Sequence, residues 1–396
     1  MPDPANSPRW KLSVLYFSTA AAMGMWSVPF GNVLRAHGLE SIIGYAYACA
    51  GVAAFISPLT IGALADQRVS PVRLLRWLSA ATACCLVVGF TAIERGWGPA
   101  AVLAAMQAQA ICAAPTFGLA TTIIMASLGD ARREFGPIRA VATLGWMVAL
   151  VAVSFVLRAD TSTLSGFAAA AIWFLTAAFT FALPETPPLE TKAPRDLFGG
   201  AALSLLLHRD HRVVFLTAGL YNAALSAFYP YTPMHLAERG VKHATAAMAL
   251  GQVTELICMF AMAGLLARVR LKWIFLTGIG FAVLRQAFCA LDTRAWLLTG
   301  VTLHGLAFTL YFITAQIYLE QRVDPRMRAR AQALLQVMIS GFGSLVGYLG
   351  TGWWRNACMQ AGVTDWPRFW WGMTAVAAAV FVWFAVSYRG REPSES

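Results

Sequence analysis

The chain has 396 residues, of which 58% are hydrophobic and 12% are charged, and its formal net charge is +11. This composition, with a mean hydropathy of +0.61, excludes a soluble globular protein and indicates a chain that is dissolved in a lipid bilayer. Basic chains also include nucleic-acid-binding proteins. Here, however, the Lys and Arg residues are divided among short loops and form no single patch, which argues against that class.

Apolar stretches of about 20 residues, the length that crosses a hydrocarbon core of about 30 Å, follow one another along the chain. We predict twelve transmembrane helices, at 11–34, 41–64, 72–93, 98–127, 138–157, 165–183, 212–235, 245–268, 271–291, 295–319, 331–354 and 366–388. The first of these is too long for the core of a signal peptide, so it is retained as a helix.

The loops give the orientation and the domain boundaries. About 20 Lys and Arg residues fall in loops on one side of the membrane and about 8 in loops on the other, which predicts that both termini lie in the cytoplasm. We expect the protein in the inner or plasma membrane of the cell. The prolines after residue 183 exclude a continuous helix there. We therefore predict an all-α protein with a six-helix bundle at 1–183, a cytoplasmic linker at 184–211 and a second six-helix bundle at 212–396.

Glu255 is an acidic residue near the middle of the otherwise largely apolar stretch 246–266. An ionised carboxylate at this depth costs about 3 kcal/mol or more, so such residues usually mark a path for protons or substrate. Gln252 lies three residues earlier, on the same helical face, where an amide and a carboxylate together suit a polar ligand. This pattern predicts a proton-coupled carrier.

Nothing in the sequence indicates an enzyme. Six of the seven cysteines lie within predicted spans, and no metal-ligand spacing, nucleophile motif, phosphate loop or dinucleotide fingerprint is present. We expect no metal, no cofactor and no nucleic-acid partner.

The loop after the second span carries Gly62, Asp66, Arg68 and Arg73 and resembles the signature loop of the major facilitator superfamily. The resemblance implies two six-helix bundles around a central cavity, transport by alternating access, and a cytoplasmic gate at these four residues. It also implies a protein that works as a monomer.

A closer resemblance, to the nucleoside:proton symporters, is carried by Pro115–Leu119, Pro137-Ile138-Arg139, Gly251–Glu255, Leu284-Arg285 and Val323-Asp324-Pro325. It implies a nucleoside as substrate, with proton coupling at Glu255. The residues that it places around the nucleoside are Arg139, Thr143 and Trp146 of span five, Gln252 and Glu255 of span eight, and His304 and Phe308 of span ten.

Two departures from this family are visible. Ser226 and Tyr229 stand where its members have amide side chains in span seven, and Thr309 stands where they have an acid directly after the phenylalanine. The second departure leaves Glu255 as the strongest candidate for proton coupling. The neighbouring phenylpropionate-type permeases are similar around Arg139 and Glu255, so a permease for small aromatic acids or another small polar solute remains an alternative, as does a drug or metabolite exporter.

Several of these residues also have structural interpretations. Arg285 of span nine lies within about 6 Å of Glu255 in depth and could pair with it. Arg139 could extend to the membrane interface, and His304 could be satisfied by one interhelical hydrogen bond. The prolines of Tyr229–Pro233 are expected to break span seven twice.

Overall fold

The computed structural model describes residues 9–57, 69–128, 131–185 and 200–390, and the fold over these residues is almost entirely helical. The α-helices are α1 Arg9–Ser27, α2 Phe30–Ala36, α3 Ile43–Ser57, α4 Pro71–Glu94, α5 Pro99–Ala113, α6 Thr116–Ala126, α7 Ala131–Val151, α8 Leu164–Phe179, α9 Gly200–Leu203, α10 Arg209–Leu225, α11 Phe228–Glu238, α12 Ala244–Ala247, α13 Ala249–Arg268, α14 Leu271–Ala290, α15 Arg294–Phe308, α16 Thr314–Arg322, α17 Arg328–Gln336, α18 Ser344–Ala357 and α19 Trp366–Ser387.

Within the described ranges, eleven helical stretches are long and apolar enough to cross a membrane. They are Glu40–Ser57, Pro71–Glu94, Pro99–Ala126, Glu134–Val156, Leu164–Ala182, Arg209–Glu238, Ala244–Met262, Leu271–Ala290, Arg294–Arg322, Arg328–Ala357 and Trp366–Ser387. The first predicted span is helical over α1 and α2 but is not among the eleven.

The structure departs from the expected helices in two places. Of the two breaks expected from the prolines of Tyr229–Pro233, one is present. The helix is interrupted at Ser226 and Ala227, and Ser226 lies four residues before Pro230, which cannot donate a hydrogen bond to the Ser226 carbonyl and whose ring clashes with it. The second break is absent, because α11 runs through Pro233 to Glu238. The loop before α19 also contains a two-residue antiparallel hairpin, β1 Met359–Gln360 paired with β2 Val363–Thr364. The turn between these strands uses Ala361 and Gly362 with positive φ, a conformation in which Gly is unstrained.

Helices widen into π-helical turns at Ala152–Val156, Thr309–Ile313 and Val337–Gly343. The second of these begins directly after Phe308, so the predicted ligand position Thr309 is the first residue of a π-helical turn. Such turns recur at functional sites because they redirect the side chains of a helix locally.

The described residues form two compact units. The first unit comprises the described part of 1–195 together with Tyr229–Ala237 and Lys242–Ala249. In its core, α1 and α7 approach each other closely, since a Cβ atom at Gly145 would lie 3.0 Å from the Cα of Phe17. Glycine is therefore the residue that permits this contact between two backbones.

The second unit comprises the described part of 196–228 together with Glu238–Val241 and Leu250 onward. Its core is rich in buried aromatic rings contributed by α10, α14, α19 and the π-helical turn after α15, including Tyr221, Phe275, Tyr311 and Phe384. The Tyr221 hydroxyl lies 3.0 Å from the carbonyl of Gly278 and 2.9 Å from that of Ala307, and it shares its single proton between them, which ties α10 to α14 and α15.

The start of span eight is capped by the end of span five and by the loop that follows it, within the first unit. Asp160 Oδ1 accepts hydrogen bonds from the Ser154 hydroxyl (2.9 Å) and from the backbone N–H of Thr245 (2.8 Å). Ser154 Oγ in turn accepts from the N–H of Ala246 at 3.0 Å. Two N–H groups at the beginning of α12, which have no partner within the helix, are thus satisfied by side chains that are distant in sequence.

We expect Asp160→Ala to lower the melting temperature, because the substitution leaves the Thr245 N–H without its acceptor, at a cost of about 1 kcal/mol. Thermal unfolding of the purified protein in detergent measures the effect. The matched control is Asp160→Asn, which keeps an oxygen at this position and should be much the milder change. Equal melting temperatures for the Ala variant and the native protein would contradict the capping role.

Candidate functional site

The three predicted ligand residues of span five all lie on α7. Arg139, Thr143 and Trp146 are spaced by four and three residues, so they share one face of the helix. Thr143 is buried, whereas Arg139 and Trp146 are partly exposed. The Arg139 guanidinium lies 5.1 Å from the centre of the Phe117 ring, and it has no carboxylate partner among the residues that the structure describes. A cation in this position is suited to an anionic or hydroxyl-rich solute.

Trp146 contacts Tyr229, and both residues belong to the first unit. Their ring centroids are 5.9 Å apart at an interplanar angle of 64°, an edge-to-face arrangement. Gly24 of α1 makes room for the indole, because a Cβ atom there would lie 3.2 Å from Trp146 Cδ2. Within the described part of the chain, the indole N–H of Trp146 is buried and has no hydrogen-bond acceptor. A buried donor of this kind is costly unless a ligand or water satisfies it.

Gln252 and Glu255 lie on α13, in the second unit, as the i, i+3 spacing predicted. Gln252 is buried and its side chain makes no hydrogen bond to any other described residue, while Glu255 is partly buried. Between Glu238 and Asp292 the chain has no other Asp or Glu. Glu255 is therefore the acid of this region that lies deep within a candidate span.

A close helix crossing fixes the position of α13 next to Glu255. A Cβ atom at Gly305 of α15 would overlap the backbone N of Glu255 and lie 2.6 Å from its Cα. The Thr254 hydroxyl donates across the same crossing to the carbonyl of Thr302 at 2.5 Å. Small residues and hydroxyl bonds of this kind are typical of tightly packed helices in membranes.

Span ten carries His304, Phe308 and Thr309. The His304 ring stacks on Phe228 with centroids 4.0 Å apart and lies 6.1 Å from the Phe308 ring. Phe308 is partly buried and packs against Phe312, at a centroid distance of 5.0 Å. Thr309 is fully buried, and its hydroxyl has no acceptor among the described residues.

Ser226 and Tyr229, the two predicted ligand residues of span seven, fall into different units. The Ser226 hydroxyl donates to the carbonyl of Asn222 at 2.9 Å. It also faces Gly347 of α18, where an added Cβ would overlap Ser226 Oγ and lie 2.7 Å from Ser226 Cβ. Ser226 therefore takes part in helix packing, whereas Tyr229 contacts Trp146.

Of the four predicted gate residues, Gly62, Asp66 and Arg68 lie outside the described residues. Arg73, at the start of α4, makes a two-pronged ion pair with Glu185: Nε to Oε1 is 3.0 Å and Nη2 to Oε2 is 2.8 Å. These hydrogen bonds lower the pKa of the Glu185 carboxyl, because they favour its ionised form. The pair joins the start of span three to the end of span six within the first unit.

The sequence alone missed two parts of this arrangement. Nothing in the sequence marks Phe228, although its ring contacts both His304 and the guanidinium of Arg285, which lies 4.6 Å from the ring centre. The sequence places Arg285 at a depth where it could pair with Glu255, but it does not indicate the contact with His304, whose Nδ1 lies 2.8 Å from Arg285 Nη1. The sequence does place an arginine and a histidine in adjacent predicted spans. Their estimated depths in the membrane, however, are too coarse to predict a contact between the two side chains.

Over the residues that the structure describes, an almost wholly helical fold with eleven candidate spans defines a multi-spanning membrane protein. The family model described as nucleoside H+ symporter matches residues 7–393. The chain therefore belongs to the nucleoside H+ symporter family, whose fold is of the major facilitator type.

Known proteins agree with this assignment. The chain is 32% identical over 353 residues to the putative nucleoside transporter YegT of Escherichia coli, covering 85% of this chain and 82% of YegT. It is 26% identical over 391 residues to the nucleoside permease NupG of the same organism, covering 91% of each chain. A crystal structure of a NupG mutant superposes with a TM-score of 0.89 over 96% of this chain and 100% of NupG, at 24% identity. The family match favours a nucleoside over an aromatic acid or an exported drug.

Proposed function

We propose that this multi-pass inner-membrane protein imports nucleosides together with protons and that Glu255 couples the two. The observation that carries the proposal is the position of Glu255 near the middle of the stretch Ala244–Met262, in a region with no other acid. A carboxylate at this depth is stable when it is protonated, hydrogen-bonded or paired, and it can therefore exchange a proton during each transport cycle.

A nucleoside offers the groups that the candidate residues require. The ribose hydroxyls and the edge of the base both donate and accept hydrogen bonds, which suits the amide of Gln252 and the carboxylate of Glu255. The flat face of the base suits the aromatic rings of Trp146, Tyr229 and Phe308. The buried indole N–H of Trp146 would gain an acceptor from a bound solute.

Other predicted ligand residues have different parts in the proposal. Arg139 and Thr143 contribute polar contacts from α7, and His304 contributes one from α15. Thr309 contributes its hydroxyl at the start of the π-helical turn, and Ser226 contributes its hydroxyl oxygen as an acceptor from the interruption between α10 and α11. In the proposed cycle, a proton from outside neutralises Glu255, the nucleoside then binds, and both are released to the cytoplasm.

The finer topology belongs to the same proposal. Twelve membrane helices in bundles at 1–183 and 212–396, joined by a cytoplasmic linker at 184–211, place both termini in the cytoplasm, as the distribution of Lys and Arg favours. The pair of Arg73 and Glu185, with Gly62, Asp66 and Arg68, forms the cytoplasmic gate. The protein acts as a monomer, powered by the proton gradient.

Uptake of labelled uridine and adenosine into proteoliposomes tests the proposed substrate class. With the outside more acidic than the inside, we expect accumulation of the label, and competition by unlabelled nucleosides but not by phenylpropionate. Folded protein that takes up neither nucleoside under this gradient would contradict the proposal. Uptake that phenylpropionate blocks would point to the aromatic-acid alternative.

A further inference from the structure

Arg285, His304 and Phe228 form a buried cluster in the second unit, which we call the histidine cluster. Arg285 is 1% exposed, Phe228 is 1% exposed and His304 is 4% exposed. The guanidinium lies 4.6 Å from the centre of the Phe228 ring, and the imidazole stacks on the same ring at 4.0 Å with an interplanar angle of 13°. All three groups are thus in mutual contact.

The hydrogen bond between Arg285 and His304 has only one possible direction. Arg285 Nη1 lies 2.8 Å from His304 Nδ1, and a guanidinium donates hydrogen bonds but cannot accept them. Nδ1 must therefore be the acceptor, and a neutral imidazole with an acceptor at Nδ1 carries its proton on Nε2. A second proton on Nδ1 would point an N–H group at the N–H groups of the guanidinium.

The backbone around the cluster leaves little freedom to either side chain. A Cβ atom at Gly300 of α15 would lie 3.0 Å from the carbonyl oxygen of Arg285, so α14 and α15 are packed closely at this level. A Cβ atom at Gly251 of α13 would lie 3.1 Å from His304 Cβ and 3.4 Å from its Cδ2. The imidazole is therefore confined by α13 at one edge, by Phe228 on one face and by Arg285 at Nδ1.

We propose that Arg285 is a positioning residue that holds His304 as the neutral Nε2–H tautomer, so that His304 serves as a hydrogen-bond donor to an acceptor oxygen or nitrogen of the nucleoside. The inference rests on the proposed function for its ligand. The inference also assigns solute binding and proton coupling to different residues. His304 donates a hydrogen bond to the solute, and Glu255 binds and releases the coupled proton.

The chemistry of the ligand follows from this assignment. Ribose hydroxyl oxygens, base carbonyls and unprotonated ring nitrogens accept hydrogen bonds, so purine and pyrimidine nucleosides can both use the Nε2–H donor. The opposite tautomer, with its proton on Nδ1, would present the lone pair of Nε2 and would favour a solute that donates a hydrogen bond there. Arg285 thus contributes to recognition through His304 without touching the solute.

Nitrogen-15 spectra of histidine-labelled protein test the tautomer directly. The six histidines are resolved by comparison with a His304→Gln variant, and we expect the His304 signals to show an unprotonated Nδ1 and a protonated Nε2. Native protein with the proton on Nδ1 of His304, or with both nitrogens protonated, would overturn the inference. This readout needs no transport, so it stands even if the proposed function fails.

Uridine uptake tests whether Arg285 acts through His304. We expect Arg285→Met to raise KM about tenfold, the effect of one lost hydrogen bond, with Vmax changed less than about twofold. In a His304→Gln background, Arg285→Met should raise KM no further, because the imidazole through which Arg285 acts is already absent. The matched control is Arg268→Met at the exposed end of α13, which should leave KM unchanged.

The possible failures can be told apart. Equal effects of Arg285→Met in the native and His304→Gln backgrounds would show that Arg285 does not act through His304 and would overturn the inference. If Arg285→Met does not fold, Phe228→Leu provides a second variant, since loss of the stacked ring should also raise KM while Nδ1 stays unprotonated. If the native protein takes up no uridine, the proposed function is contradicted. The nitrogen-15 spectrum of His304 then remains the test of the tautomer.

Discussion

Replacing Glu255 by Gln is expected to abolish the accumulation of nucleoside that a proton gradient drives. Gln has nearly the shape of a protonated Glu but cannot release a proton, so the variant should still bind solute. One proton moving down a gradient of one pH unit supplies about 1.4 kcal/mol, enough for about tenfold accumulation. We expect the native protein to approach that ratio and Glu255→Gln to reach no accumulation, whereas exchange of internal for external nucleoside should persist in both.

The matched control for this experiment is Glu320→Gln in the same unit. Glu320 lies at the end of α16 and is paired with Arg328 at 3.0 Å, with its side chain 58% exposed. Its loss removes the same charge but no deep carboxylate, so accumulation should remain at the native level. Native accumulation by the Glu255 variant would show that the coupling carboxylate lies elsewhere.

Substituting Gly305 by Ala is expected to lower the stability of the protein more than Asp160→Ala or Gly350→Ala does. The new methyl group would overlap the backbone N of Glu255 and the carbonyl oxygen of Gly251, and neither atom can move without displacing α13. Overpacking a tight core costs about 1 to 3 kcal/mol, and a clash with backbone on two sides belongs at the upper end. The melting temperature in detergent and the yield of monodisperse protein measure the effect.

Gly350→Ala provides the comparison for this variant. Gly350 also lies within a helix of the second unit, α18, but a Cβ atom there would meet no atom within 4 Å. Ala has the higher helix propensity, so the control should unfold at the native temperature or slightly above it. Equal stability of the two variants would contradict the close crossing of α13 and α15.

Much of the fold could be predicted from hydropathy, because long apolar stretches with charged loops leave few alternatives in a bilayer. The details that failed depend on packing. Pro230 accounts for the interruption at Ser226 and Ala227, because a proline disrupts the helix at the carbonyl four residues before it, whereas α11 accommodates Pro233, and the sequence alone does not distinguish these two prolines. The hairpin at Met359–Thr364 is likewise too short for a periodic pattern to reveal.

The candidate site was predictable where its residues share one helix. Gln252 and Glu255 lie on one face because their spacing is three residues, and the same reasoning covers Arg139, Thr143 and Trp146. Contacts between helices were not predictable in this way. The acceptance of an Arg285 hydrogen bond by His304 and the capping of α12 by Asp160 both join residues that are distant along the chain, and sequence spacing carries no information about them.

The most direct test of proton-coupled nucleoside import is the proton flux that uridine itself drives. Uridine is added outside proteoliposomes that contain a pH-sensitive dye and have no imposed gradient, with the native protein and Glu255→Gln compared in parallel. We predict that the interior acidifies as uridine enters through the native protein and does not acidify with the variant. Uridine entry without acidification, or equal acidification in both, would contradict coupling through Glu255.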